Sequence, residues 1–306
     1  MEHDHNQQHS QALSLSLEKH WYDRRYKILL VIPIALLIIS LAYIGYFYTK
    51  NGDILLRDAS LAGGTTVTLT EKADIAKLEE ALKPEFPDVY IRTITNIQSG
   101  IPVAVLIDSS AQPEQLKAGI EKALGYELTT ENTAVEFTGP ALSQNFYRQL
   151  IIALLFSFIL ISGVIFILFR TVIPSLAVIF AIFADIVMPL ALIDFLGIRL
   201  SAAGIAAFLM LIGYSVDTDI LLTTRVLKRR EGTVNERIYG AFKTGMFMTV
   251  TGLAAVLPAF FIITGLPDSF RQIFLILALG LSADIINTWL TNASILKWYA
   301  VKKGIS

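Results

Sequence analysis

Residues 201–230 read SAAGIAAFLMLIGYSVDTDILLTTRVLKRR, and the rest of the chain can be placed around them. The stretch begins as an apolar helix rich in small residues. It takes in two carboxylates, Asp217 and Asp219, continues apolar through Ile220, Leu221 and Leu222, and ends in the basic run Arg225, Lys228, Arg229 and Arg230. About 20 mostly apolar residues suffice to cross the hydrocarbon core of a bilayer. The basic run then reads as a cytoplasmic anchor. An ionisable side chain at the centre of a spanning helix costs at least about 2.5–3.5 kcal/mol, so these acids are candidate functional residues.

The composition agrees with a polytopic membrane protein. Hydrophobic residues make up 54% of the 306 positions and charged residues 17%, with a mean hydropathy of +0.58. The net charge of −1 hides an asymmetry: residues 50–147 hold 8 Lys/Arg against 14 Asp/Glu, a net of −6. With no cysteine, disulfides and thiolate metal sites are excluded.

Outward from the quoted stretch, the spacing predicts an α-helical polytopic membrane protein. Six transmembrane helices carry a ferredoxin-like α+β extracytoplasmic domain between helices 1 and 2. Residues 1–27 form a polar tail whose His3, His5 and His9 read as solvated side chains, not metal ligands. Residues 28–48 form the first span, too long for a signal-peptide core and lacking a small-residue cleavage site. Residues 49–147 form the outer domain. Strands are expected over 65–70, 89–95, 103–108 and 133–138, with helices over 74–82 (Asp74 as cap) and 113–124 (Pro113 at its start). This βαββαβ order is the split ferredoxin-like unit. Gly63 and Gly64 read as an outer-domain turn requiring positive φ. Residues 148–298 hold helices 2–6, over about 150–169, 172–196, 200–224, 240–264 and 270–298, and 299–306 form a short tail. Basic residues cluster on one side: the N-terminal group, Arg170, Arg225 to Lys243, and Lys297, Lys302 and Lys303. The positive-inside rule places both termini in the cytoplasm.

Asp185 and Asp284 fall near the bilayer midplane. Asp217 falls roughly 7–8 Å to its cytoplasmic side, and Asp219 about 3 Å further. No Lys or Arg lies at these depths. Three carboxylates near one level without a basic partner cannot all ionise cheaply, so protonatable sites of the proton-relay kind are expected. Asp217 and Asp219 lie about 200° apart around the helix. Asp217 shares its face with Met210, Gly213, Tyr214 and Thr224; Asp219 shares the other with Ile212, Ser215, Leu222 and Thr223. Asp217 is deeper and has the Tyr214 hydroxyl one turn away, so it is expected to be the main relay residue. Asp219 is expected nearer the headgroups, within reach of water. Asp185 and Asp284 read as its neighbours or as hydrogen-bonded glue between helices. Thr244, Thr249 and Thr251 on helix 5, and Asn287, Thr288, Thr291 and Asn292 on helix 6, read as a water path or as packing contacts. No metal-ligand spacing, nucleophile–base pair or nucleotide-binding glycine loop is present, so neither enzyme activity nor a cofactor is expected.

IGYSVDTDILLTTR (212–225), Ala184-Asp185, Lys243-Thr244, Gly63-Gly64-Thr65 and Phe137-Thr138-Gly139-Pro140 together resemble the SecF family. That is the smaller subunit of the SecD–SecF protein-export complex, within the superfamily of resistance-nodulation-division transporters. Asp217 stands where many bacterial members have Asn, Thr218 where they have Asp, and Asp284 where many have Gly. These variations look more like archaeal members. The resemblance implies pseudo-symmetric pairing with SecD, work beside the Sec translocon channel on translocating polypeptide chains, and a place in the cell membrane among its lipids. It implies no nucleic-acid partner. The function expected is promotion of late protein translocation, coupled to the proton gradient. The alternatives are half of a proton-driven lipid or small-molecule transporter, or a structural partner of SecD without proton flow.

Overall fold

A computed structural model gives the structure of the protein, describing residues 22–70, 73–95, 102–229, 231–262 and 268–305. The histidine-bearing tail, Ser99-Gly100 and Arg230 lie outside the described residues.

Among the described residues, six helices are long and apolar enough to cross a membrane: Tyr22–Asn51, Pro140–Phe169, Val172–Phe195, Ala202–Lys228, Val234–Phe261 and Phe270–Lys302. They are called spans 1 to 6. Their burial separates two groups. The apolar windows of spans 3, 4 and 6 are each 56% buried, whereas those of spans 1, 2 and 5 are 11%, 6% and 11% buried. Spans 3, 4 and 6 therefore form the packed centre, and the others present aliphatic side chains outward, as lipid-facing helices do. Span 2 starts with Pro140 at its first turn, where a missing N–H costs nothing. It stops at Arg170, which takes a left-handed φ of 52°. Span 4 starts at Ser201, whose hydroxyl accepts a hydrogen bond from Gly204 N at 3.1 Å. Span 6 is α-helical over Asp268–Ile286, widens to a π-helix over Asn287–Asn292, and resumes as α-helix over Ala293–Lys302.

The outer domain runs β1 (Gly64–Leu69), α1 (Ile75–Leu82), β2 (Tyr90–Thr95), β3 (Pro102–Ser109), α2 (Pro113–Leu124) and β4 (Thr133–Thr138). Its sheet has the order β2-β3-β1-β4, every neighbouring pair antiparallel. This is the ferredoxin-like arrangement expected from the element order. Alternation along β1 sends Val67 and Leu69 to one face, where Leu78 and Leu82 of α1 and Leu116 and Ile120 of α2 cover them. Each such buried aliphatic side chain stabilises the fold by about 1.5–3 kcal/mol. Asp74 caps α1 by accepting from Ala76 N at 3.1 Å.

Gly63 and Gly64 join this domain to the membrane part. Their φ angles are 87° and 140°. A Cβ on Gly63 would sit 2.6 Å from Pro140 Cα, and one on Gly64 2.3 Å from the Ser109 carbonyl oxygen. The pair is thus fixed by conformation and by space, at the point where the outer domain begins and span 2 leaves it. A second seam ties the domain to the start of span 4. Leu200 N donates to Leu56 O at 2.6 Å, Asp58 N to Leu200 O at 3.0 Å, and Ala202 N to Ser60 Oγ at 3.0 Å. The Tyr90 hydroxyl donates to Gly197 O at 3.1 Å, and the Arg199 guanidinium stacks 4.1 Å from the Tyr90 ring centre. Gln272 of span 6 closes the seam, accepting from Ser201 N at 2.8 Å and donating to Arg199 O at 3.0 Å.

Candidate functional site: an intramembrane carboxylate cluster

Each of the three central spans contributes one acid to a common cluster. Asp185 comes from span 3, Asp219 from span 4 and Asp284 from span 6, and all three have no exposed surface. Spans 3 and 4 are joined where Ser215 Oγ donates to Asp185, and spans 3 and 6 where Asn287 Nδ2 donates to Asp185 at 2.7 Å. Asp219 accepts from Thr288 Oγ1 at 3.0 Å and from Asn292 Nδ2 at 2.8 Å. Asp284 is approached by Thr218 Oγ1 at 2.9 Å, Thr288 Oγ1 at 2.8 Å and Thr249 Oγ1 at 3.4 Å. No Lys or Arg side chain among the described ion pairs reaches any of the three.

Thr288 carries the most information. Its single hydroxyl lies within hydrogen-bond distance of carboxylate oxygens on both Asp219 and Asp284. A hydroxyl has one proton to donate and can otherwise only accept. Two ionised carboxylates would leave one oxygen facing a lone pair, so both contacts are satisfied when one of the two acids carries a proton. Polar groups buried in an apolar span are costly unless paired. The π-helix helps to make the pairing possible. It carries Asn287, Thr288 and Asn292, three of the residues that contact the acids, and such widened turns are frequent at functional sites.

The two faces of span 4 are opposed, as the helical spacing requires, but the inward one belongs to Asp219. Ile212, Ser215, Leu222 and Thr223 are buried with it, at 4% exposure or less. Asp217 is exposed on this chain, beside Met210 at 45% and Tyr214 at 55%. This corrects the expectation that Asp219 is reached by water while Asp217 joins Asp185 and Asp284. Depth along the helix was the wrong guide; the face bearing the bulky aliphatics and small hydroxyls is the one that packs. Of the other polar candidates, Asn287, Thr288, Asn292 and Thr249 contact acids. Thr244 instead accepts from Arg225 Nη2 at 2.9 Å, and Thr251 donates to its own helix at Phe247 O. Thr218, a cluster member, had as its signals its place between two acids and the Asp that many bacterial relatives carry at its position. Asp194, near the outer end of span 3, is 3% exposed and also went unremarked in the sequence.

The basic end of span 4 pins the neighbouring helix. Arg225 donates to Gly240 O, and Arg237 of span 5 donates to Val226 O at 3.2 Å and to Arg229 O. Lys228 and Arg229 are exposed. Nearby, Lys297 of span 6 binds Asp23 of span 1 and Asn235 of span 5, closing three helices at the end remote from the outer domain. Among the described residues no group of His, Cys, Asp and Glu is arranged to hold a metal ion.

Residues 120–302 match the family model described as protein export membrane protein SecD/SecF, C-terminal. Among archaeal relatives, the SecF protein-export membrane protein of Methanolacinia petrolearia is 38% identical over 91% of this chain and 95% of its own. That of Methanothermobacter thermautotrophicus is 37% identical over 90% and 93%. The crystal structure of SecDF from Thermus thermophilus, a translocon-associated membrane protein, superposes with a TM-score of 0.73 at 19% identity. That match covers 90% of this chain but only 38% of the solved one, and it concerns the fold. On the family model and on the identity to full-length relatives, the chain belongs to the SecF family of protein-export membrane proteins.

Proposed function

We propose that this protein serves protein export as the SecF-like half of a pair with a SecD-like chain beside the Sec translocon channel. Both termini lie in the cytoplasm and the outer domain faces outward, where it binds or releases emerging polypeptide chains. Protons entering through the membrane pass among Asp185, Asp284 and Asp219, and the change in their hydrogen bonding moves span 4. Asp217 and Tyr214 lie on the opposite, exposed face of span 4, outside this path, where the partner chain covers them.

The observation that carries this reading is that span 4 bears the buried Asp219 and begins beneath the outer domain at the Ser60–Ala202 contact. A helix rising 1.5 Å per residue sets those two points about 26 Å apart on one rod. One charge crossing 100 mV is worth about 2.3 kcal/mol, comparable with the gap between two conformations of ordinary size. The test is proton-dependent export with the partner present, comparing wild type with Asp185→Asn, Asp219→Asn and Asp284→Asn. Normal proton dependence in all three variants would sink the relay.

A second reading has one observation in its favour. Each acid is hydrogen-bonded by neutral side chains, as permanently protonated glue between helices would be. In that case the chain steadies its partner without moving protons. The triple Asn variant would then export normally while each variant still assembled.

A further inference from the structure

We infer that the protein binds an anionic phospholipid in a groove between spans 1 and 6, at the end of the bundle remote from the outer domain. The groove encloses about 410 Å3 and is lined by Tyr26, Lys27, Leu30, Ser294, Ile295 and Trp298. Its floor is apolar and its rim is basic. Lys27 is exposed on one wall, with its ammonium 5.9 Å from the Tyr26 ring centre. Beside the other wall, Lys302 lies 5.0 Å over the ring of Trp298, which lines it.

The charges around it are one-sided. Residues 22–30 and 294–303 include Arg24, Arg25, Lys27, Lys297, Lys302 and Lys303 against one acid, Asp23. Asp23 is already engaged by Lys297. No carboxylate within these two segments is therefore left to neutralise Lys27 and Lys302. Their stems lie along apolar helix surface while the ammonium groups reach the headgroup level, the usual placement of lysine at a membrane edge. The neighbouring side chains Ile28, Val31 and Val301 are 61–65% exposed, which marks this flank as lipid-facing.

The chemistry suits one phosphate-bearing head with no compensating cation. Its oxygens sit between Lys27 and Lys302, its glycerol region meets the ring of Trp298, and one acyl chain follows Leu30 and Ile295. Basic pockets between spanning helices bind anionic heads in this manner, and tryptophan favours the interface at that depth. A zwitterionic head would bring its own cation against both lysines.

The test uses the 306-residue chain carrying Trp21→Phe, reconstituted into vesicles. Trp298 is 38% exposed whereas Trp289 is 7% exposed, so quenching by acyl-chain bromines reports chiefly on Trp298. Brominated phosphatidylglycerol should quench more strongly than brominated phosphatidylcholine at equal mole fraction. In the Lys27→Gln/Lys302→Gln variant the preference should fall by roughly fivefold or more, the effect of one basic residue at an anionic surface. Lys228→Gln/Lys243→Gln removes equal charge elsewhere at that end and should leave the preference intact. Equal quenching by both lipids, or an equal loss in the control variant, would reduce the site to ordinary bilayer contact and overturn the inference. Abolition by inorganic phosphate, but not by potassium chloride of the same ionic strength, would assign the site to a free anion and overturn it as well.

Discussion

Thr288 turns the cluster into a device with a countable proton. Its hydroxyl serves Asp219 or Asp284 at any moment, and the other acid must answer with a proton of its own. Thr288→Val keeps the shape of the side chain and removes that donor. It should cost about 1–3 kcal/mol of stability through the unpaired acceptors and suppress proton-dependent export, whereas Thr288→Ser should restore both. Thermal denaturation and an export assay on the same preparations check the pair. Asp219→Asn should impair export far more than Asp217→Asn, because Asp219 shares the Thr288 hydroxyl with Asp284 while Asp217 lies on the exposed face; a larger defect in Asp217→Asn would move the path to that face. A different acid governs the seam with the outer domain. Asp58 is pushed up to about 6, first by burial and then by the charge of Asp108, against the opposing bonds from Ser60. Folded protein then holds this proton more tightly than unfolded protein, whose Asp titrates near 3.9. Stability should therefore rise as pH falls from about 6 to about 4, and above pH 6 the buried charge should cost about 3 kcal/mol. Asp58→Asn is expected to flatten that slope and raise Tm at pH 7.5, with little change at pH 4. An unchanged slope would place the titration elsewhere.

The elements of the outer domain were legible because each has a local cause. Alternation in TTVTLT gives β1, Asp74 and Pro113 start the helices, and Thr133–Thr138 forms the last strand as expected. The spanning helices were legible from apolar length alone. The π-helix was not, since widening a helix by a fraction of a residue per turn leaves hydropathy unchanged. Nor was the inward face of span 4: apolar residues surround both acids, and only packing against Asp185 and Asp284 distinguishes them. The widened turn has a mechanical signature. Deleting Leu290 should close the widened turn to an α-helix, because such a turn absorbs an extra residue while the helix on either side keeps its orientation. Thr288 and Asn292, on the turn itself, would then shift away from Asp219, whereas Lys297 would stay with Asp23 and Asn235. Export should fail in the deletion and survive in Leu290→Ala, which keeps the register. Equal activity of the two would deny the π-helix a role.

At the scale of the whole molecule, the positive-inside rule predicts that the basic ends of the spans and the acidic domain lie on opposite sides of the membrane. Cysteines placed at Ser110 and Gly232 should react with an impermeant reagent from opposite faces of the membrane, Ser110 from outside. Labelling of both from one side would overturn the six-span map. The same uneven burial that leaves spans 1, 2 and 5 open also leaves Asp217 uncovered. A carboxylate turned to hydrocarbon costs about 2.5–3.5 kcal/mol, and with a SecD-like chain seated over this face, as proposed, that cost would fall only on copies without it. Unassembled copies would then be marked by their own chemistry for surveillance, and the cell could match subunit numbers by clearance instead of by synthesis. Asp217→Leu should lengthen the half-life of copies made without a SecD-like chain, as measured by pulse-chase. Identical turnover of the two would show that orphan copies are recognised by some other feature.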